Sequence, residues 1–434
     1  MQVQKARQGY KLARSLHGKY EEIPENWDMK KLSELVTDSI SYGVLVPDYD
    51  PNGVPMIRSG ELDTPRGIDR NIIMISKSLE EKYKKTRLSG GELLVSLVGY
   101  TGQVTLVSDF YSGYNVSRAI GVIRLKKEFD KKFYYYALKS DSSQKKILNE
   151  SIGSAQPVIN LENLRKLLII VPPPKEQQKI ASVLSNVDSL INQTQNIVEQ
   201  TIQLKKGLMQ KLLTRGIGHT KFKKTHLGEI PEDWEIETLE KYVNILSGEY
   251  FEYSEFAESG IRVLKIDNVM YGEINWETRT FLPDKYLTTH SDIVLIEGDI
   301  VLALNRPITN SQIKIARLTE DDSPSILYQR VGKFRFLNEN IDRDFFYAFL
   351  NSPIFKKTLA KILIGSDQPY VRTTELLKQH FALPKEKLEQ QQIATILSNV
   401  NLQLQKQQEY KSQLETLKKG LMQKLLTGQI RVKV

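Results

Sequence analysis

The sequence predicts an α+β fold written twice. Two globular units of mixed helix and short strand are joined by two long antiparallel coiled-coil-like helices, giving a pseudo-twofold internal repeat. Three observations predict it. Distinct blocks recur in the same order roughly 210 residues apart, which marks duplication of a large unit. A long run of apolar residues at helical spacing closes each half. The segments between the recurring blocks are β-rich, glycine-bounded and unlike each other.

The blocks come first, because they dictate the architecture. Glu22-Ile23-Pro24-Glu25-Asn26-Trp27 returns as Glu229-Ile230-Pro231-Glu232-Asp233-Trp234, and Gly153-Ser154-Ala155-Gln156-Pro157 as Gly365-Ser366-Asp367-Gln368-Pro369. EQQKIASVLSNVD, from Glu176 to Asp188, returns as EQQQIATILSNVN from Glu389 to Asn401. KKGLMQKLLT is identical at Lys205 to Thr214 and Lys418 to Thr427. A nearly constant offset across four blocks describes a domain plus a following helix, copied once, and excludes a short-period solenoid. Between the blocks, Ser41 to Tyr114 and Leu246 to Leu327 share little beyond scattered hydrophobic pattern. A constant scaffold carrying two unlike inserts suits two different recognition surfaces held in fixed relation. Drift of loops after duplication leaves the same trace.

The helices follow from periodicity. Ile180, Leu184, Val187, Ile191 and Val198, with Val183, Leu190, Ile197, Leu204 and Leu208 beside them, fall at steps of three and four. That spacing makes an amphipathic helix of about 57 Å at 1.5 Å per residue. Ile393, Leu397, Val400, Leu404, Leu414, Leu417 and Leu421 repeat it. Pro174 and Pro384 mark abrupt starts, since proline is tolerated only at or before the first turn. Thr194, Gln203, Gln407 and Lys411 interrupt the seams, so the helices are expected to pack on each other and on further partners.

Strands are expected at Glu92 to Val98, Gln103 to Val107, Ile120 to Leu125, Ile300 to Leu304 and Ile313 to Leu318. Phe133 to Leu138 and Phe345 to Leu350 read as matching helices whose aromatics serve the core rather than stack on bases.

Composition narrows the function. The 434 residues are 40% hydrophobic and 26% charged, the balance of a folded protein large enough for several cores. The longest apolar run, Leu167 to Val171, stops at Pro172-Pro173-Pro174, far short of a bilayer span, so no membrane role is expected. Without cysteine there is no disulfide, thiolate metal site or thiol nucleophile, which favours a reducing compartment. The five histidines, His17, His219, His226, His290 and His380, include no pair at metal-ligand helical spacing, so no metal site is expected. The acid-free start with Lys5, Arg7, Lys11, Arg14 and Lys19 reads as the entry to the first repeat rather than a transit peptide. A formal charge of +9 is compatible with a polyanion partner, because each neutralised phosphate releases counterions.

Two EIPE-x-W starts, two EQQ-x-IA-x-x-LSNV helix openings and two KKGLMQKLLT helix ends together resemble the specificity subunits of type I restriction–modification systems, over nearly the whole chain. Gly53 to Arg58, Gly91 to Val104, Gly260 to Lys265 and Gly298 to Val301 look familial too, although the pair Gly99 and Gly102 has no counterpart in the second half. The resemblance implies a first target-recognition domain over 1–175, a first spacer helix over 176–214, a linker and second recognition domain over 215–388, and a second spacer helix with a tail over 389–434. It also implies a non-catalytic cytoplasmic protein of a bacterium or archaeon that binds double-stranded DNA at a bipartite site and docks two modification subunits. Those methyltransferase subunits would carry S-adenosylmethionine and methylate adenine. Restriction subunits in the full complex would use ATP and Mg.

Base edges are distinguished in the major groove by arginine or lysine against guanine and by asparagine or glutamine against adenine. Candidate DNA-binding residues therefore come from polar stretches of the inserts. In the first half they are Tyr42, Arg58, Lys84, Lys85, Arg87, Tyr100, Gln103 and Arg118; in the second, Tyr250, Lys265, Asn268, Asn305, Arg306, Asn310, Gln312 and Arg330. Gln156 and Gln368 recur in both halves and are read as structural or backbone-contacting. Lys205, Lys206, Lys211, Arg215, Lys221, Lys223 and Lys224 form either a phosphate-neutralising stretch or a solvated helix end.

Two other classes remain. A methyltransferase or nuclease in its own right lacks an Asp/Asn-Pro-Pro-aromatic motif and a glycine-rich loop after a strand, and the Pro47-Asp48, Glu80, Lys82 match is loose. A coiled-coil adaptor without DNA binding would have no use for two large unlike domains.

Overall fold

The structure is a computed structural model and describes residues 6–14, 20–62, 72–149 and 158–433. Gly153 to Pro157 with Gln156, and Lys5, His17 and Lys19, lie outside the described residues. Two compact units emerge: Met1–Gln195 with Glu409–Val434, and Asn196–Gln408. The long helices run Pro174–Arg215 and Lys387–Leu425, so each unit holds the beginning of one and the end of the other. Pro174 occupies the first helical position, where its missing N–H costs nothing.

In the first unit, the central antiparallel sheet has the strand order Ser41–Tyr42, Ile120–Ile123, Leu93–Ser96, Val104–Leu106. Beside it Tyr49–Ile57 pairs antiparallel with Ile73–Ile75 and parallel with Asn115–Val116. In the second unit, the corresponding sheet runs Val243–Ser247, Val331–Phe336, Ile300–Ala303, Ile315–Arg317, with Tyr271–Gly272 added at the edge. Ile261–Leu264 again makes a parallel pair, with Ser325–Leu327. The inserts, unlike in sequence, thus share a topology. Pleated, half-buried positions demand only alternation and β-branched or apolar residues, which many sequences satisfy.

The recurring motifs touch each other. Trp27 is fully buried, and its indole N–H donates to Glu176 Oε2 at 2.9 Å; Trp234 donates to Glu389 Oε2 at 3.3 Å. The next residue, Gln177, accepts from the Asp130 N–H at 2.9 Å and donates to the Pro172 carbonyl at 2.8 Å. Gln390 does the same with Asp342 at 2.7 Å and Pro384 at 2.9 Å. Asp130 and Asp342 are the N-caps of the aromatic helices Lys131–Lys139 and Arg343–Leu350. Phe133, Tyr134, Phe345 and Phe346 on those helices are buried, as core aromatics should be. Each Glu-Gln pair therefore ties a domain's first strand turn, its last strand and its aromatic helix to the start of the helix that follows.

KKGLMQKLLT has a matching reason to repeat. Leu425 and Leu426 enter the first unit's core beside Trp27, Ile180 and Leu184, whereas Met209, Leu212 and Leu213 enter the second's beside Trp234, Ile393 and Leu397. Each copy fills an equivalent apolar slot at an equivalent helix start, so the two helices run antiparallel within each unit. Asp188 and Lys418 bridge them in the first unit at 2.6 Å. Among the described residues, no helix is long and apolar enough to cross a membrane.

Burial alone pushes the Glu176 carboxyl up, but hydrogen bonds from Arg431 and Trp27, the Arg431 charge and a hydrogen bond from Asn26 together hold it below the ordinary carboxylate range. A depressed carboxylate contributes stability above its unfolded value and loses it as pH falls through the folded one. Glu176→Gln should therefore cost about 1.5–3 kcal/mol at pH 7. The deficit should shrink progressively below about pH 4.3, the ordinary glutamate value. Denaturant titrations of wild type and variant from pH 7 to pH 3 check it; a deficit independent of pH contradicts the role of this charge.

Candidate nucleic-acid interface

In the first unit, backbone hydrogen bonds gather three insert segments. The Arg118 N–H donates to the Val44 carbonyl at 2.8 Å and Ser117 to Ile57 at 2.9 Å, so the ends of Ser41–Tyr42 and Tyr49–Ile57 meet the turn at 117–119. That brings Tyr42, Arg58 and Arg118 to one region. Tyr100 joins them: it is 63% exposed, and its ring lies beside Gly60. Arg118 is exposed, with no side-chain partner among the described residues. Arg58 spans Glu61 through Nε at 3.1 Å and Nη2 at 2.9 Å. Gln103 is turned inward, its Oε1 buried without a hydrogen-bond partner among the described residues.

The basic trio at 84–87 is largely neutralised where it stands. Arg87 is chelated by Glu80 and Glu81, and those hydrogen bonds hold its guanidinium still more firmly charged than usual. Lys84 pairs with Glu81 at 3.1 Å, and Lys85 is exposed.

The second unit gathers its candidates more tightly. Leu304 donates to the Arg330 carbonyl at 2.8 Å, Arg306 to Pro369 at 2.6 Å, and Val371 to Leu304 at 2.9 Å. Three loops are thereby woven together, and Asn305, Arg306, Arg330 and Gln368 share their rim. Arg306 (φ 48°), Asn310 (φ 50°), Ser311 (φ 59°) and Arg330 (φ 67°) all adopt the left-handed conformation. For a residue with a Cβ that costs on the order of 1 kcal/mol, and it persists only where the surroundings over-determine it. Arg306, Arg330 and Gln368 are exposed. From the tip of the hairpin Ile308–Ile313, on which Gln312 is also exposed, Asn310 donates to Tyr271 Oη of the edge strand at 3.1 Å.

Other candidates lie elsewhere or are spent internally. Tyr250 is 63% exposed against Tyr328. Lys265 sits 4.8 Å over the Phe256 ring and donates to Thr280 at 2.9 Å, and burial lowers its basicity. Asn268 is buried; its Nδ2 donates to the Asn275 and Thr278 carbonyls, both at 2.9 Å, and its Oδ1 accepts from Lys265 N–H at 3.0 Å. An amide so occupied closes a turn and offers no edge to a base in this conformation. Tyr49 and Tyr253, at 63% and 92% exposure, are absent from the sequence candidates, because no local pattern separates them from the tyrosines that serve cores. Among the described residues, no three His, Cys, Asp or Glu side chains gather as a metal site.

A family model described as the type I restriction modification DNA specificity domain matches residues 24–200 and again 231–416. The type I restriction enzyme MjaVIII specificity subunit of Methanocaldococcus jannaschii is 46% identical over 308 residues, 71% of this chain and 72% of that protein. The putative MjaX specificity subunit of the same organism is 27% identical over 95% of both chains. Among solved structures, the S subunit of a type I restriction-modification system from M. genitalium superposes with a TM-score of 0.57 at 19% identity, covering 92% of this chain and 96% of that one. A chain from a structural study of type I R-M complex assembly and conformational transition gives 0.56 at 16% identity, covering 94% and 99%. At these identities the structural likeness concerns the fold.

Arg306→Gly and Arg306→Ala remove the same guanidinium but differ in the Cβ that the left-handed backbone resists. The glycine variant should be the more stable of the two by about 1 kcal/mol. Both should weaken DNA binding alike, by about 1–3 kcal/mol if the arginine reads a base. Melting and fluorescence-anisotropy titrations check this; equal stabilities would refute the imposed backbone, and unchanged affinity the contact.

Proposed function

We propose that this chain, which belongs to the type I restriction modification DNA specificity family, reads a bipartite DNA site through its two inserts and presents it to methyltransferase subunits, performing no catalysis itself. The observation that carries the reading is the paired family match, one per half, on a scaffold that repeats while its exposed loops differ. A duplicated scaffold with different loops is the economical way to hold two unlike readers. In this reading 1–175 and 215–388 are the recognition domains, and the helices at 176–214 and 389–434 are spacers.

The chemistry of the loops supports DNA as the ligand. Arg118 in the first unit, and Arg306, Arg330 and Asn310 in the second, offer the donor and acceptor patterns that distinguish base edges. Lys85, Lys211 and Lys224 are exposed charges suited to phosphates. The coiled-coil faces suit docking of two modification subunits. S-adenosylmethionine belongs to those partners, ATP and Mg to restriction subunits, and the whole to the cytoplasm.

The test is reconstitution. The chain alone, incubated with DNA and labelled S-adenosylmethionine, should transfer no label above a boiled control, and with the methyltransferase subunit it should direct label to one bipartite sequence. Label transferred by the chain alone, or equal transfer to all sequences in the complex, would overturn the proposal.

A further inference from the structure

The two halves solve the same local problem differently at one place. In the first unit Lys418 pairs with Asp188 at 2.6 Å, and Asp188 also accepts a hydrogen bond from Tyr136 Oη at 2.6 Å. The Lys418 ammonium lies 5.8 Å from the centre of the Tyr136 ring. Lysine, carboxylate and phenol make a closed trio between the two helices and the aromatic helix.

The repeat fixes the counterparts in the second unit. Aligning the identical KKGLMQKLLT blocks places Lys205 opposite Lys418, and the LSNVD and LSNVN blocks place Asn401 opposite Asp188. Aligning Phe133-Tyr134-Tyr135-Tyr136 on Phe345-Phe346-Tyr347-Ala348 places Ala348 opposite Tyr136. The lysine is kept, the acid is replaced by an amide, and the tyrosine is cut back to a methyl group. Lys205, Ala348 and Asn401 line one open cavity of 670 Å³, together with Leu397, Leu402 and Tyr347. Arg317 and Asp344 at its margin pair with each other, so they add no net charge. Lys205 has no ion-pair or hydrogen-bond partner among the described residues, and burial lowers its basicity. Of the two sequence readings of this basic run, a phosphate-neutralising stretch or a solvated helix end, the second therefore does not hold for Lys205. A half-buried cation without a counterion is costly unless something completes it.

We propose that the cavity around Lys205 is a carboxylate-binding site, completed by an aspartate or glutamate of a partner protein where the first repeat supplies its own aspartate. The first unit is the template: a carboxylate at this lysine, with a ring filling the space over Ala348. The apolar wall of Leu397, Leu402 and Ala348 suits the stem of an acidic side chain with an aromatic neighbour, and suits the charged, stiff backbone of duplex DNA poorly. The choice of a protein occupant rests on the reading of this chain as a subunit of a larger assembly.

The test uses the full chain and three variants: Lys205→Met, the double variant Ala348→Tyr with Asn401→Asp, and Lys361→Met as an equal change of charge at an exposed site. Hexaglutamate is the probe, titrated calorimetrically at low salt. Lys205→Met and the double variant should each bind it at least tenfold more weakly, while Lys361→Met should match the wild type. The double variant should also melt higher, since it rebuilds the trio; if it fails to fold, Lys205→Met still decides. Equal weakening in all three variants, or none in Lys205→Met, overturns the site. A loss of duplex DNA affinity in Lys205→Met with peptide binding intact assigns the lysine to phosphate and overturns it as well. Capture of the methyltransferase subunit, run in parallel, keeps the two readings apart: if wild type fails to capture it, the assembly reading falls while the peptide titration still judges the site.

Discussion

The junction between each globular domain and the helix that follows it depends on one carboxylate, buried at Glu176 and half-buried at Glu389. Glu176 reaches the Trp27 indole and Glu389 the Trp234 indole, and the adjoining glutamines Gln177 and Gln390 clamp the caps of the aromatic helices. A charged group taken from water must find nearly all its hydrogen bonds in the protein, so it fixes the geometry of everything that supplies them. The second unit supplies them differently, through His219 at 2.8 Å and the Ile217 N–H at 2.9 Å, where the first uses Arg431. The carboxylate is constant, and its outer partners are free to vary.

From that junction the recognition surfaces inherit their position. The central sheet is anchored through the aromatic helix, and the loops at its rim hang from backbone hydrogen bonds rather than from side chains. Leu97 donates to Ala119 and Ile159 to Leu97, as Leu304 donates to Arg330 and Val371 to Leu304. Because the weave is main-chain, the side chains it displays are at liberty to differ: Arg118 and Ala119 stand in one unit where Gln329 and Arg330 stand in the other. A scaffold specified by backbone and buried polar contacts, with freely exchangeable rim residues, is what lets one architecture serve two sequences.

Much of this was legible in the sequence, for identifiable reasons. Duplication, helix spans and core aromatics are local or periodic signals, and they needed no knowledge of contacts. That EIPE-x-W and EQQ touch each other was not legible, because Trp27 and Glu176 are far apart in the chain and no pattern links them. Asn268 is a polar loop residue with base-reading chemistry, yet asparagine serves turns by the same hydrogen bonds, and here it closes one. Arg306 and Arg330 carry guanine-reading chemistry that the sequence shows; their left-handed backbone leaves no mark in it, since arginine has no preference for that conformation. The shared topology of the inserts rests on pairings between distant strands, which sequence alternation does not record.

The central claim is that each insert reads its own half-site from a common frame. Replacing Ser41 to Tyr114 by the matching segment of a related subunit, then mapping methylated bases in the reconstituted complex, tests it most directly. The account predicts a new sequence on one side of the site, with the other side unchanged. A change on both sides, in a complex that still assembles and methylates, would contradict it.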